Sequence, residues 1–178
     1  MKKRRWQWVG ILLVVGVMGC GKDEKPQTPF GSVKAVREYR ERLDSVIVEA
    51  NAIELGVRDR AVGSTGQATG QNLSPVYQEL RPRLTALIDE LDGIKVPKRL
   101  RDMHADLGAA LALRLEAFDL VIAGWEIERE QTFDEARSNY VSAALKLNEA
   151  NEFLLQVSEV LLELDIALGE VEGRNPVS

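Results

Sequence analysis

From residue 32 onward, apolar residues recur every three or four positions, the spacing of one face of an α-helix. Four such segments follow one another, beginning at Ser32, Ser74, Pro97 and Thr132. The last keeps an alternating three–four step for five heptads, which predicts a rod of roughly 54 Å. No segment alternates apolar and polar positions for long enough to predict a strand. The pattern therefore predicts an all-α fold.

Residues at the ends of these segments suit the ends of helices. Ser32 is a candidate N-cap, and Ser74 precedes a proline at the first helical position of the second segment. Gly93 follows the last apolar position of that segment and predicts its end. Thr132 and Glu135 have the spacing of a capping box.

Polar stretches precede the first helix, separate it from the second and follow the last. Residues 20–31 contain two prolines, two glycines and four charged residues, which predicts a flexible linker. Residues 58–74 read as a polar, glycine-containing loop, and residues 171–178 as a disordered tail. Pro82 lies inside the second segment, and we expect it to kink the helix or to restart it.

Short connections between the later helices favour an antiparallel up-and-down four-helix bundle over residues 32–170. The last two helices are the longest, and we expect them to form a C-terminal hairpin that turns near Gln131. Their apolar period suits the left-handed, coiled-coil-like packing of such bundles.

The composition narrows the function classes. The chain has 178 residues, of which 45% are apolar and 29% charged, enough for one folded domain or a small pair. One Cys and one His exclude a disulfide framework, a Cys/His zinc site and c-type haem attachment. The sequence contains no Glu-x-x-His pair, phosphate loop or G-x-S-x-G nucleophile motif. We therefore predict a non-catalytic protein without cofactor or metal, and rank a hydrolytic enzyme third among the functions.

The first twenty residues have the layout of a secretory signal. A basic start at 2–5 precedes a ten-residue apolar run at 9–18, which Gly19 and Cys20 follow. The run is too short to span a bilayer in the mature protein, because a spanning helix needs about 20 apolar residues. An uncleaved signal anchor is one alternative, and a twin-arginine export signal is another.

Residues 17–20, Val-Met-Gly-Cys, resemble the lipobox of bacterial lipoproteins. The resemblance implies that residues 1–19 are a cleaved signal peptide and that Cys20 carries the lipid, with palmitate among its acyl chains. It also implies a place in the cell envelope outside the cytoplasm. An Asp directly after the lipidated Cys would resemble the inner-membrane retention signal of some bacteria with two membranes, but this chain has Gly21 there. The outer membrane is thus favoured in a host with two membranes, and the outer face of the cytoplasmic membrane in a host with one. In architecture the chain is similar to small helical-bundle envelope lipoproteins of unknown function.

Loss of the signal would make the protein more acidic. Residues 1–19 hold four of the 23 Lys and Arg and none of the 28 Asp and Glu, so 19 basic residues remain and the net charge becomes −9 instead of −5. Such a negative charge argues against nucleic acid as a partner and against binding to anionic lipid through a basic surface. We expect the lipid on Cys20 to anchor the protein in the membrane. The expected protein partner is a second copy of the chain or another envelope protein.

Polar residues interrupt the apolar faces of the two long helices. Arg114 lies in the middle of the third stripe, and Asn151, Ser158 and Asp165 recur every seven residues on the fourth helix. In an antiparallel hairpin, Arg114 would face Asn151 and His104 would face Ser158, which predicts a buried polar seam. The seam is either a ligand site with Arg114 as an anion clamp, or a device that holds one helix register.

The apolar arc of the fourth helix, from Phe153 to Leu168, covers roughly 240° of the helical wheel, against about 100° for a surface helix. Either the first two helices cover this arc, or it is an interface or an apolar ligand groove. Two functions therefore stay open: an interaction or structural module, and a small-molecule binder that uses the interior of the bundle.

Overall fold

The computed structural model describes residues 27–62, 68–171 and 173. The predicted signal peptide, Cys20 and the first part of the predicted linker lie outside the described residues, as do 63–67 and most of the predicted tail. Four long helices dominate the described chain, so the predicted all-α class is confirmed. The elements are β1 Gln27–Thr28, β2 Gly31–Ser32, α1 Val33–Val57, a π-helical turn Arg58–Val62, α2 Gly70–Asp92, a 3-10 turn Lys98–Leu100, α3 Arg101–Glu130 and α4 Phe133–Val171.

Three predicted helix ends are confirmed. The Ser32 hydroxyl accepts a hydrogen bond from the Ala35 amide at 3.4 Å, and Gly93 caps the end of α2. Before α4, the Thr132 hydroxyl accepts from the Glu135 amide at 3.4 Å and lies 2.7 Å from the Glu135 carboxylate, to which it donates. The Ser32 and Thr132 hydroxyls thus satisfy amide N–H groups that the first turn of a helix leaves without partners.

The start of α2 differs from the prediction. The helix begins at Gly70, one turn before Ser74, and Ser74 is buried inside it. Thr69 is the N-cap, since its hydroxyl accepts from the Asn72 amide at 3.3 Å. The additional turn brings Leu73 against the core, so packing favours the earlier of two sites that are both suited to start a helix.

Two other places are more helical than the sequence suggests. Residues Arg58–Val62, predicted to begin the loop, continue from α1 as a π-helical turn. Pro82 lies inside α2, which runs on to Asp92, so the predicted restart is wrong. The exposed position of Pro82 explains why the helix tolerates it, because water reaches the carbonyl that proline leaves without a donor.

Residues 27–32 form a small antiparallel hairpin at the end of the segment predicted as a flexible linker. The Thr28 hydroxyl donates to the Gly31 carbonyl at 3.0 Å and accepts from the Phe30 amide at 3.2 Å. Gly31 has a φ of 137°, a conformation that favours glycine. Phe30 packs against the core, so this part of the predicted linker is attached to the bundle.

The helices bury their predicted apolar faces in a common core. Tyr77 of α2 stacks on Phe118 of α3, with ring centroids 3.9 Å apart. Helices α3 and α4 pack most closely, through small residues that repeat every seven positions. These are Ala110, Ala117 and Gly124 on α3, and Ala136, Ala143 and Ala150 on α4. A Cβ atom added to Gly124 would lie 2.9 Å from the Tyr140 ring, so the approach there requires glycine.

Helix α1 packs along α2 but touches α4 at few points. A cleft therefore separates α1 from α4, with α2 and α3 behind it. This cleft holds most of the polar residues that the sequence analysis singled out.

Candidate functional site

The cleft between α1 and α4 contains a cavity of about 250 Å³. All four helices contribute to its walls, and eleven of the fifteen lining residues are apolar. The four polar ones are Asn51, Glu54, Arg114 and Ser158. Two predicted site residues, Arg114 and Ser158, thus line the same cavity.

Arg114 is the positively charged residue among those that line the cavity, and its side chain is 17% exposed. Its Nη1 donates to the Glu54 carboxylate, and its Nη2 donates to the Asn151 amide oxygen at 3.2 Å. Its Nε is buried and has no hydrogen-bond partner within the described part of the chain. Burial lowers the pKa of Arg114, but a guanidinium keeps its charge at neutral pH. The structure therefore brings Arg114 and Asn151 together and adds Glu54, which the sequence analysis missed.

The polar residues of α4 face solvent, so the expected seam is not buried. Asn151, Ser158 and Asp165 are all exposed. The Ser158 hydroxyl donates to the Leu155 carbonyl of its own helix at 2.7 Å. Asp165 accepts two hydrogen bonds from Arg40 of α1, at 2.8 and 3.1 Å. These residues lie along the edge of the cleft because α1 does not cover that side of α4.

His104 pairs with Tyr39 of α1 instead of the expected Ser158. The Tyr39 hydroxyl oxygen and His104 Nδ1 are 3.2 Å apart, and the ring centroids are 5.9 Å apart. Burial lowers the pKa of His104, which Asp92 partly offsets, and burial raises the pKa of Tyr39. Both groups are neutral at pH 7. The contact links α1 to α3 and is not part of the cavity wall.

Arg40 is a second residue that the sequence analysis missed. It donates to Asp44 on its own helix and to Asp165 on α4, which joins the two helices at one end of the cleft. The hydrogen bond to Asp165 is the largest cause that raises the pKa of Arg40. The spacing of Arg40 and Asp44 predicts their local pair. Nothing local points to Asp165, which is 125 positions away.

One side of α4 exposes large apolar residues, which we call the α4 stripe. It consists of Leu155, Leu162 and Ile166, exposed by 66%, 63% and 37%. The first two helices therefore leave this part of the predicted apolar arc uncovered. The neighbouring surface is acidic, because residues 147–171 contain six Asp and Glu and no Lys or Arg. Glu152 and Glu159 lie on the same side of the helix as the stripe.

Within the described residues, no helix combines the length and the apolarity needed to cross a membrane. In the same part of the chain, no three His, Cys, Asp or Glu side chains group together in a way that suits a metal ion. Comparisons with protein-family models, curated proteins and solved structures found no match to this chain.

Proposed function

We propose that this protein is a lipid-anchored, non-catalytic interaction module of the bacterial cell envelope. The lipobox-like residues 17–20 support cleavage before Cys20 and its modification with lipid. The acidic charge of the remaining chain supports a lipid anchor over a basic surface as the membrane contact. In a host with two membranes the protein belongs at the outer membrane. In a host with one, it belongs at the outer face of the cytoplasmic membrane.

The four helices run up and down in an antiparallel bundle. Polar contacts between α1 and α2 and between α3 and α4 support this topology, because the partners' residue numbers fall along one helix as they rise along the other, as expected for antiparallel neighbours. The supporting pairs are Glu49–Arg83 between α1 and α2, Arg60–Glu79 between α2 and the π-helical turn that continues α1, and Glu116–Lys146 and Glu128–Tyr140 between α3 and α4.

The α4 stripe is the single observation that carries the interaction proposal. Leu155 and Leu162 are largely exposed, and the exposed side chains of Glu152, Glu159 and Glu163 border them. A suitable partner covers the leucines with apolar side chains and meets the carboxylates with Lys or Arg. A basic amphipathic helix of another envelope protein has both properties. A second copy of α4 fits less well, because it would bring carboxylates next to carboxylates.

A binding experiment with synthetic helical peptides tests this surface. The probe has a leucine stripe flanked by lysines, and its control has glutamates in place of the lysines. We expect the full chain to bind only the lysine peptide, with an affinity that falls as salt is added. The double variant Leu155→Gln, Leu162→Gln keeps every charge but loses about 2 kcal/mol of apolar contact. It should therefore bind roughly 30-fold more weakly.

Val48→Gln is the matched control for this experiment. Val48 is 68% exposed on α1, outside the α4 stripe, and its substitution should leave peptide binding unchanged. Equal binding by wild type and the double variant would contradict the proposal. So would a wild-type homodimer that the same double substitution dissociates, because it would make a second copy the occupant.

Cys20→Ser tests the anchor separately. We expect the wild-type chain to remain with membranes after a carbonate wash and to incorporate a labelled palmitate analogue, and Cys20→Ser to lose both properties. Gly21→Asp is the companion variant in a host with two membranes, and we expect it to shift the protein toward the inner membrane. A Cys20→Ser protein that stays in the membrane pellet would argue against a lipid on this residue.

A further inference from the structure

We infer that a groove between the amino ends of α2 and α4 binds a small organic cation, in which a protonated amine is joined to an apolar body. The last turns of α3 complete this groove, which we call the turn groove because it lies beside the α3–α4 turn. Its described lining residues are shared neither with the cleft between α1 and α4 nor with the α4 stripe. The inference therefore does not depend on the lipid anchor or on the α4 stripe.

The walls of the turn groove suit the apolar part of the ligand. Its volume is about 510 Å³, within the range of about 300–1,000 Å³ that is usual for small-molecule sites. The larger lining side chains are those of Leu73, Tyr77, Val121, Phe133, Tyr140 and Leu147. Because Phe133 is 54% exposed, a ligand can reach its ring from solvent. An apolar body therefore finds aliphatic and aromatic contacts along the groove.

Glu128 is the charged residue among the described residues that line the groove. Its Oε2 accepts a hydrogen bond from the Tyr140 hydroxyl at 2.7 Å, and it forms no ion pair with a described residue. Its Oε1 accepts no hydrogen bond within the described part of the chain and, unlike the Nε of Arg114, is not shielded from solvent. The carboxylate therefore offers a ligand a negatively charged acceptor that is within reach.

Tyr140 holds this carboxylate in position. Its ring lies against Gly124 of α3, and a Cβ atom added to Gly70 of α2 would overlap its hydroxyl. It also stacks on Phe133, with ring centroids 6.0 Å apart. Burial and the hydrogen bond to Glu128 raise the pKa of Tyr140, so the hydroxyl keeps its proton at neutral pH. One carboxylate oxygen is thus fixed and the other is left for a ligand.

The surrounding charge favours a cation. Residues 126–135, which include the α3–α4 turn, contain five Asp and Glu and one Arg. The amino end of α2 adds a partial positive charge of about half an elementary charge, which is smaller than the full negative charge of Glu128. An ammonium group gains a charge-assisted hydrogen bond from the carboxylate and a cation–π contact from an aromatic ring. A carboxylate on the ligand would be repelled.

Three naphthalene compounds separate the contributions of charge and apolar contact: naphthylmethylamine, naphthylmethanol and naphthoate. They share one apolar body, and at neutral pH the first is a cation, the second is neutral and the third is an anion. Equilibrium dialysis against the full chain gives the Kd of each compound. We expect the amine to bind most tightly and naphthoate most weakly. Added salt should weaken the amine more than the alcohol, because salt screens the contact between charges.

Glu128→Gln tests the carboxylate, because glutamine keeps an acceptor for the Tyr140 hydroxyl but has no charge. The Kd of the amine should rise about tenfold, as expected for a lost charge-assisted hydrogen bond. The Kd of the alcohol should change less than about threefold, and naphthoate should bind more tightly. Glu130→Gln is the matched control, since Glu130 is exposed two positions further along the chain and is not among the lining residues. It should raise the Kd of the amine less than about twofold.

Phe133→Ser tests the apolar wall. The amine and the alcohol should each bind roughly threefold more weakly or worse, because both lose contact with the ring. Val141→Ser is the control, since Val141 is 51% exposed on the same helix but lies outside the groove; it should weaken neither compound. All proteins are full chains purified in the same way, so partition into any accompanying lipid cancels between variants.

The following results would overturn the inference. Binding of neither the amine nor the alcohol by wild type would remove the site. An equal Kd of the amine in wild type and Glu128→Gln, or tighter binding of naphthoate than of the amine, would refute the cation. Displacement of the amine by the lysine peptide that tests the α4 stripe would make a side chain of a partner protein the occupant. If circular dichroism shows that Glu128→Gln does not fold, the wild-type salt dependence decides, and an amine Kd that does not change with salt would refute the contact with Glu128.

Discussion

Replacing Arg114 with methionine should leave the folded protein at least as stable as wild type. The guanidinium loses most of its hydration, since its side chain is only 17% exposed, and its Nε finds no acceptor among the described residues. Methionine is similar in length and fills the same space without a polar group. Replacement of incompletely compensated buried charges by apolar residues is often neutral or stabilising.

The individual contacts give the size of the effect. The hydrogen bond to Asn151 contributes about 1 kcal/mol, and the pair with Glu54 about 0.5 kcal/mol, because Glu54 is 59% exposed. Removing the unsatisfied donor recovers about 1–2 kcal/mol, and burying the methionine side chain adds about 1 kcal/mol. The balance is a stabilisation of about 1 kcal/mol, which raises the melting temperature by about 3 °C. Neither Glu54 nor Asn151 is left buried without a partner, since both are exposed.

Thermal and urea unfolding of the full chain, followed by circular dichroism, measures this effect. Arg114→Ala is the comparison, because it removes the same polar contacts but enlarges the cavity. We expect it to be about 2–3 kcal/mol less stable than Arg114→Met. A loss of about 3 kcal/mol or more in Arg114→Met itself, the usual cost of breaking a buried ion pair, would refute the reasoning. It would mean that the contact with Glu54 is a main support of the fold.

Three further variants test other contacts. Leu43 is fully buried, so Leu43→Ala should lower the free energy of unfolding by about 3 kcal/mol, measured as a lower urea midpoint with an unchanged slope. Thr132→Ala removes the capping box and should lower the melting temperature by about 3 °C, for a cost of about 1 kcal/mol, whereas Thr132→Ser should not. Burial lowers the pKa of His104 below 6.5, so the folded state holds this proton less tightly than the unfolded state. The contribution of His104 to the free energy of unfolding is therefore fully present above pH 6.5 and is lost as the pH falls through the lowered pKa. The urea midpoint of wild type should therefore fall between about pH 7.5 and about pH 5, and His104→Gln should show a smaller fall. An equal fall in both proteins would contradict the contribution of His104.

Local contacts could be predicted from the sequence because both partners lie within one turn of helix. The Ser32 cap and the capping box of Thr132 and Glu135 are of this kind. The start of α2 shows the limit of local reasoning. Thr69 and Ser74 are both suited to cap a helix, and the choice depends on whether the additional turn packs Leu73 against the core.

Contacts between helices could be predicted only in part. The pairing of Arg114 with Asn151 follows from the apolar register of the two long helices. The pairing of Arg114 with Glu54 does not, because it depends on how α1 is rotated against α3. The expected contact between His104 and Ser158 fails for the same reason. Tyr39 of α1 occupies the position next to His104, and Ser158 faces solvent.

The helical class, several helix ends, the acidic charge and the polar positions inside the apolar stripes could all be predicted from the amino-acid sequence. Each depends on composition, on spacing along one helix or on contacts within one turn. The packing of the helices sets which polar groups meet, opens a cavity between α1 and α4, and leaves the α4 stripe exposed. These features follow from the rotation and separation of whole helices. Many weak packing contacts set those quantities together, among them the close approach of α3 and α4 at Gly124, and no short stretch of sequence encodes them.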